Sequence, residues 1–423
     1  MIRPTLLALA LTIFLPAAIY TILGTSSMST GLLPVMLLWT VIGLATAPHP
    51  YKLRISDGYA LCTVLGAIVL FFVHLLIEST RVRGADFGRF FSSSLILIIM
   101  FLGANFAARN LIREPGENLV RTANYILLAM TAMGLAARAG FPAFGAQASA
   151  KAIVLFAEPS HFGLAFLPML LFRASLASKT GQVRLLGGAL MLGAILQSLT
   201  TIAGVALLAA TLLRRKPLFG MLVVMIVVGG GVALVDLSYY AERLSLSGDS
   251  DNLTTLVYLQ GWENAILNFG ETDGLGVGFQ QFGLAGSTGD ISEKIYAIMG
   301  GSYINLMDGG STATKLIAEF GVFGIAMLLV FFRFALRALM YMRRMQLMPA
   351  GARDIHWMFF SACTVSYSLE LVLRGVGYFS TGGFLAMTAI MALYRLKRAG
   401  IRSGPASPLH TVQPAGPTWS PGS

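Results

Sequence analysis

Glu158 and His161 stand three residues apart in FAEPSHFG, inside a run from Ala152 to Phe172 whose only other polar side chain is Ser160. A spacing of three puts both on one face of a helix. A carboxylate beside an imidazole is equipped to take a proton from a hydroxyl group. An ionisable side chain in a membrane-spanning helix is costly unless it faces a polar cavity or a partner, so the pair reads either as a site or as a Glu-His contact buried between helices for packing specificity. Pro159 predicts a kink, because its ring removes a backbone donor and leaves the Leu155 carbonyl unpaired.

A second group of candidates lies in the longest hydrophilic interval, Leu237 to Ser311. In YLQGWENAILNFG, Tyr258 to Gly270, the residues Trp262, Ala265, Ile266 and Phe269 follow helical spacing. They predict an amphipathic helix with its apolar stripe toward protein or membrane interface and Gln260, Glu263 and Asn264 on the other face. Such a helix serves as a lid packed on a bundle or as a platform on which the Trp262 indole stacks a sugar ring. GLGVGFQQFG, Gly274 to Gly283, follows. Gly274, Gly276 and Gly278 permit positive φ and close backbone approach, and successive amides in such a turn can cradle an anion. A plain tight turn is the competing reading, and a nucleotide fingerprint lacks its βαβ context. Gln280 and Gln281 are placed to hydrogen-bond hydroxyls.

The elements that must position these residues are set by composition. A chain of 423 residues that is 56% hydrophobic and 12% charged, with mean hydropathy +0.74, needs the bilayer as its solvent. The formal charge of +11 sits in short gaps between apolar runs, which argues against a nucleic-acid partner. Cys62 and Cys363 fall within apolar runs and supply neither a disulfide framework nor a metal site. Taking about 20 apolar residues per crossing, spans are expected near 4 to 24, 31 to 47, 58 to 77, 91 to 108, 122 to 138, 152 to 172, 185 to 200, 201 to 213, 218 to 238, 312 to 332, 355 to 373 and 377 to 394. The pair between 185 and 213 reads as two short helices or one long one. The fold class is therefore all-α and polytopic, with about 12 transmembrane helices. Residues 1–238 hold nine of them, 239–311 form one large outer loop, 312–398 hold the last three, and the proline- and glycine-rich stretch 399–423 reads as a disordered tail.

With the N-terminus inside, 21 of the 30 basic residues fall on the cytoplasmic side, which places both termini there. The few outer cations are Arg81, Arg83, Arg89, Arg138, Lys151, Arg243, Lys294, Lys315 and Arg374. A pyrophosphate head group would give such outer cations a reason, because guanidinium forks grip phosphate oxygens bidentately, and Arg243 or Arg374 could take that task. Arg374 also follows Glu370 by four residues, a pair able to neutralise itself. The outer loop carries nine acids against two bases and reads as a solvated acidic cap.

FAEPSHFG, GWENAIL followed by GLGVGFQQFG, and LIAEFGVFG from Leu316 to Gly324, in this order, resemble the O-antigen polymerase and O-antigen ligase superfamily, including Wzy-type exopolysaccharide polymerases. The resemblance implies a GT-C-like fold of many helices with a large periplasmic loop in the bacterial inner membrane. It implies a metal-independent inverting glycosyltransferase without cofactor, acting on undecaprenyl-pyrophosphate-linked oligosaccharide among membrane lipids, with a chain-length regulator or export protein as a further partner. Glu158 and His161 would line the cavity as catalytic residues. Gln260, Trp262, Glu263, Gly276, Gly278, Gln280 and Gln281 would form its lid, and Arg243 and Arg374 would bind the pyrophosphate. Ligases show a His-Asn pair where this chain has Gly310 and Ser311, and an Arg ahead of the tryptophan where it has Tyr258 and Leu259, so a polymerase is expected over a ligase. A transporter or flippase of the same lipid-linked glycan is the rival class, since intramembrane charges serve transport equally well.

Overall fold

The computed structural model describes residues 3–24, 27–46, 55–145, 151–212, 252–398 and 400; the expected span 218 to 238, Arg243 and the tail beyond 400 lie outside them. Among the described residues thirteen α-helices run in chain order: α1 Pro4–Leu23, α2 Met28–Ala45, α3 Ile55–Ser79, α4 Phe87–Arg113, α5 Gly116–Arg138, α6 Pro159–Leu176, α7 Lys179–Ile195, α8 Leu199–Leu212, α9 Leu253–Glu271, α10 Asp290–Ile298, α11 Thr312–Met345, α12 Ile355–Val372 and α13 Thr381–Arg398. Among the described residues there are no strands, only two isolated bridges. Six of these described helices, α1 to α5 and α11, are long and apolar enough to cross a membrane. The protein is thus a multi-pass helical membrane protein.

The expected sixth span is shorter than its hydropathy suggests. Residues 152 to 158 form an irregular turn, with Val154 at φ 47° and Ile153 bridged to Phe156. Pro159 then occupies the first helical position, where its missing amide is no loss and its φ suits the helix. It therefore starts α6 rather than kinking it, and Glu158 stands just ahead of the helix at φ −143° and ψ 152°. The ambiguous stretch 185 to 213 resolves into two helices, broken at Leu196–Ser198 with Gln197 in the left-handed region.

Packing follows the rule for helices in lipid, where small residues let backbones approach. Gly31 of α2 lies on the Pro16 backbone of α1, and Gly103 of α4 lies on Met36 of α2. Trp39 donates its indole N–H to Thr12 at 2.9 Å, joining α2 to α1. Outward positions stay apolar, as at Leu70 and Val330, each 69% exposed, which is the surface a bilayer covers. α6 is central, packed against α5, α8 and α12.

The two ends of this bundle differ. At one, Arg3 pairs with Glu114 at 3.1 Å, His356 meets the Glu114 carbonyl at 2.8 Å, and Arg353 donates to the Ser175 and Leu176 carbonyls that close α6. At the other, the end of α1 and the starts of α2, α6 and α13 converge with the end of α12 and the loop before α11.

Candidate functional site

At that second end, the carboxylate of Glu158 does not cap α6. Its Oε2 accepts instead from Ser160 Oγ at 2.9 Å and from Arg374 Nη2 at 3.0 Å. Glu370 is therefore not the partner of Arg374. α12 ends at Val372, so the last turn that would bring position 374 over position 370 is missing. The Glu158 side chain is 44% exposed and that of Arg374 17% exposed. An ion pair so open contributes little to stability and exchanges partners readily.

His161, one turn into α6, is 8% exposed. Its ring meets the Tyr20 ring edge-on at 5.8 Å, and its Nδ1 has no hydrogen-bond partner. Tyr20, Glu158, His161, Asn305, Asp308 and Arg374 line a pocket of about 50 Å³. Tyr20, Asn305 and Asp308 are additions to the residues expected from sequence. The signal for Asp308 was an acid before the glycine pair in MDGGS, whose turn its neighbours hold: Gly375 N–H donates to the Gly310 carbonyl at 3.1 Å.

α9 buries part of the face expected to be polar, while of the expected apolar stripe Ala265 is buried and Phe269 half-buried. Its buried side is Thr255, Leu256, Val257, Gln260, Gly261, Asn264, Ala265 and Asn268, whereas Ile266 is 69% exposed and Trp262 half-buried. The polar groups are turned inward because α10 needs them. Ser292 receives Gln260 Nε2 and Asn264 Nδ2, each at 3.1 Å, Glu263 Oε2 accepts from the Ile291 amide at 2.9 Å, and Asn264 Oδ1 from that of Gly289 at 2.8 Å. Glu263 and Asn264 thereby satisfy amides at the start of α10.

The glycine segment docks on α11. Gly321, at φ 54° and ψ −126°, breaks this helix of 34 residues, and the Val322 amide donates to the Gly274 carbonyl instead of one turn back. The freed carbonyls of Ala318 and Glu319 then accept from Val277 and Gly278, both at 2.9 Å. A Cβ at Gly276 would sit 2.6 Å from the backbone of Glu319, Phe320 and Gly321, so glycine there serves close approach. The amides of Gly276, Val277 and Gly278 are all engaged, the first by Thr272 Oγ1 at 2.7 Å. Gln281 clamps the Asp86 backbone, accepting its amide at 2.7 Å and donating to its carbonyl at 3.0 Å. Gln280, at φ 63°, turns toward Lys315 Nζ at 3.4 Å.

Behind this segment Lys315 and Glu319, 2% and 0% exposed, pair at 3.9 Å. Lys315 also donates to the Met307 carbonyl at 2.7 Å and lies 5.3 Å from the Tyr378 ring centre, while Glu319 accepts from the Phe282 amide at 3.3 Å. An apolar cleft of about 460 Å³ adjoins it, lined by Phe71, Phe279, Phe320, Tyr378, Phe379 and Met387 among others. Among the described residues no group of three or more His, Cys, Asp or Glu is disposed to hold a metal ion.

The structure thus brings Glu158, His161 and Arg374 together, places Gln260 and Glu263 against α10, Gly276, Gly278 and Gln280 against α11 and Gln281 against Asp86, and leaves Trp262 half-buried. No protein-family model matches the sequence, and no curated protein is significantly similar to it. The class shown is a multi-pass helical membrane protein, and a function must be argued from the site.

Proposed function

We propose that the protein is a glycan polymerase of the membrane's outer face, with about 12 spans. It transfers an undecaprenyl-pyrophosphate-linked oligosaccharide to the hydroxyl of a lipid-linked repeat unit. The observation that carries this reading is the half-open ion pair of Glu158 and Arg374 beside the buried imidazole of His161, at the end of an apolar bundle and under a polar cap. The acceptor oxygen attacks the anomeric carbon from the face opposite the leaving group, its proton passes to His161, and the bond from that carbon to the diphosphate oxygen breaks with its electron pair on the diphosphate. Arg374 receives that charge. A diphosphate oxygen replaces Glu158 Oε2 on the guanidinium, an exchange between two charge-assisted hydrogen bonds that a partly open pair permits.

The apolar cleft that ends at Tyr378, four residues past Arg374, suits the polyprenyl chain of such a substrate. A pocket of about 50 Å³ holds a few water molecules but no sugar, so turnover requires the Asn305–Gly310 turn to move aside. The test is purified protein in liposomes supplied with polyprenyl-diphosphate-linked repeat units. Elongated glycan is expected from the native protein and single units only from Glu158→Gln and His161→Ala. Translocation without elongation by the native protein would establish a transporter instead.

A further inference from the structure

Behind His161, away from the Glu158–Arg374 pocket, lies a second cavity of about 30 Å³ bordered by His161, Glu370, Ser380, Thr381 and Gly382. Glu370 is 2% exposed, and its Oε1 has no hydrogen-bond partner. The Nδ1 of His161 is in the same condition. Two buried polar atoms left unpaired are costly, and in native proteins such atoms share a bound water where the space admits one. A cavity holds a water once it offers about 10–15 Å³ and two to four polar partners, which this one does.

The rest of the surroundings holds the Glu370 side chain in place. It lies at the N-terminus of α13, the positive end of that helix, next to the N-cap Ser380. A side chain at Gly382 would collide with Glu370, so the glycine is what admits the carboxylate there.

We propose that Glu370 is a positioning residue for His161, acting through one water bound in this cavity, with Nδ1–H donating to the water and the water donating to Glu370 Oε1. The unprotonated Nε2 then faces the Glu158–Arg374 pocket, ready for the acceptor proton. A carboxylate orienting a catalytic imidazole is the logic of the hydrolytic triads, here with a water interposed. The charged and titratable groups around His161 are Glu158 on its own segment, Tyr20 on α1, Glu370 on α12, Asp308 in the loop before α11 and Arg374 after α12.

The catalytic half of this assignment rests on the proposed transfer; the tautomer half does not, and the experiment separates them. Full-length protein labelled with ¹⁵N-histidine in liposomes reports each imidazole's tautomer by solid-state NMR, with His161→Gln identifying the signal among the five histidines. His161 protonated on Nδ1 is expected in the native protein, with a shift toward Nε2 protonation in Glu370→Leu, and recovery of the native tautomer in Glu370→Asp. A native His161 protonated on Nε2, or a tautomer indifferent to Glu370→Leu in a protein that still unfolds cooperatively, would overturn the proposal. If the tautomer responds while the native protein elongates nothing, the positioning stands and the polymerase reading falls.

Discussion

Two ion pairs lie near the same end of the bundle, and they differ in almost every respect. Lys315 and Glu319 come from one turn of one helix and are sealed from solvent; Met307 and Gln280 meet the ammonium and Phe282 meets one carboxylate oxygen, while Glu319 Oε2 has no hydrogen-bond partner. Glu158 and Arg374 come from segments 216 residues apart, remain partly open to water, and border a pocket. Burial makes the first pair depend on its own completeness, since a lone charge in that place has nothing to replace its partner. Openness makes the second replaceable by water or by a ligand's charge. The contrast separates a strut from a site.

Breaking the strut is expected to give the largest effect. Lys315→Met leaves Glu319 uncompensated and should lower stability by about 3–5 kcal/mol. Thermal unfolding in detergent measures it, and Lys315→Met with Glu319→Leu should recover most of the loss. Arg374→Gln should lower stability by under about 1 kcal/mol and yet abolish polymer in the liposome assay. Equal unfolding midpoints for Lys315→Met and Arg374→Gln would erase the distinction.

Next is the seat of the glycine segment on the break in α11. Gly276→Ala adds a Cβ 2.6 Å from three backbone atoms at φ 86°, and overpacking of this kind costs about 1–3 kcal/mol. Limited proteolysis between Gly274 and Gly283 should speed up with it. Gln281→Leu, which strands the Asp86 amide and carbonyl, should cost about 1–2 kcal/mol and likewise loosen the segment.

The helices were legible in the sequence because hydropathy reports burial in protein and in lipid alike: eleven of the expected apolar runs overlap helices among the described residues, six of them long and apolar enough to cross a membrane. Glu158 and His161 were legible because polar groups are conspicuous in an apolar run. Their partner was not. Glu370 precedes Arg374 at helical spacing, and nothing local announces that α12 stops at Val372. The strut had a readable signal, Lys315 and Glu319 at i and i+4 in an apolar helix, but each residue taken alone pointed elsewhere, one to an outer phosphate and one to a motif. The glycine segment misled for a physical reason: amides able to cradle an anion are equally able to meet the carbonyls of a broken helix, and only the fold tells which.

The smallest effect is expected from a substitution on α9, Ile266→Asn, and its comparison with Asn264→Leu tests whether the helix sits with its polar side inward. Ile266, on the face that helical spacing marks as apolar, is 69% exposed, and Asn264, two residues earlier, is 2% exposed with both amide atoms engaged. Asn264→Leu keeps the number of side-chain heavy atoms and increases hydrophobicity, yet strands the Gly289 amide, at a cost of about 1–3 kcal/mol. Ile266→Asn removes an apolar side chain but strands nothing, and should change stability by no more than about 0.5 kcal/mol. Unfolding midpoints of the two variants in one detergent decide the matter. An Ile266→Asn protein as unstable as the Asn264→Leu one would mean that the apolar stripe is the packed side after all, freeing Gln260, Glu263 and Asn264 to meet a glycan.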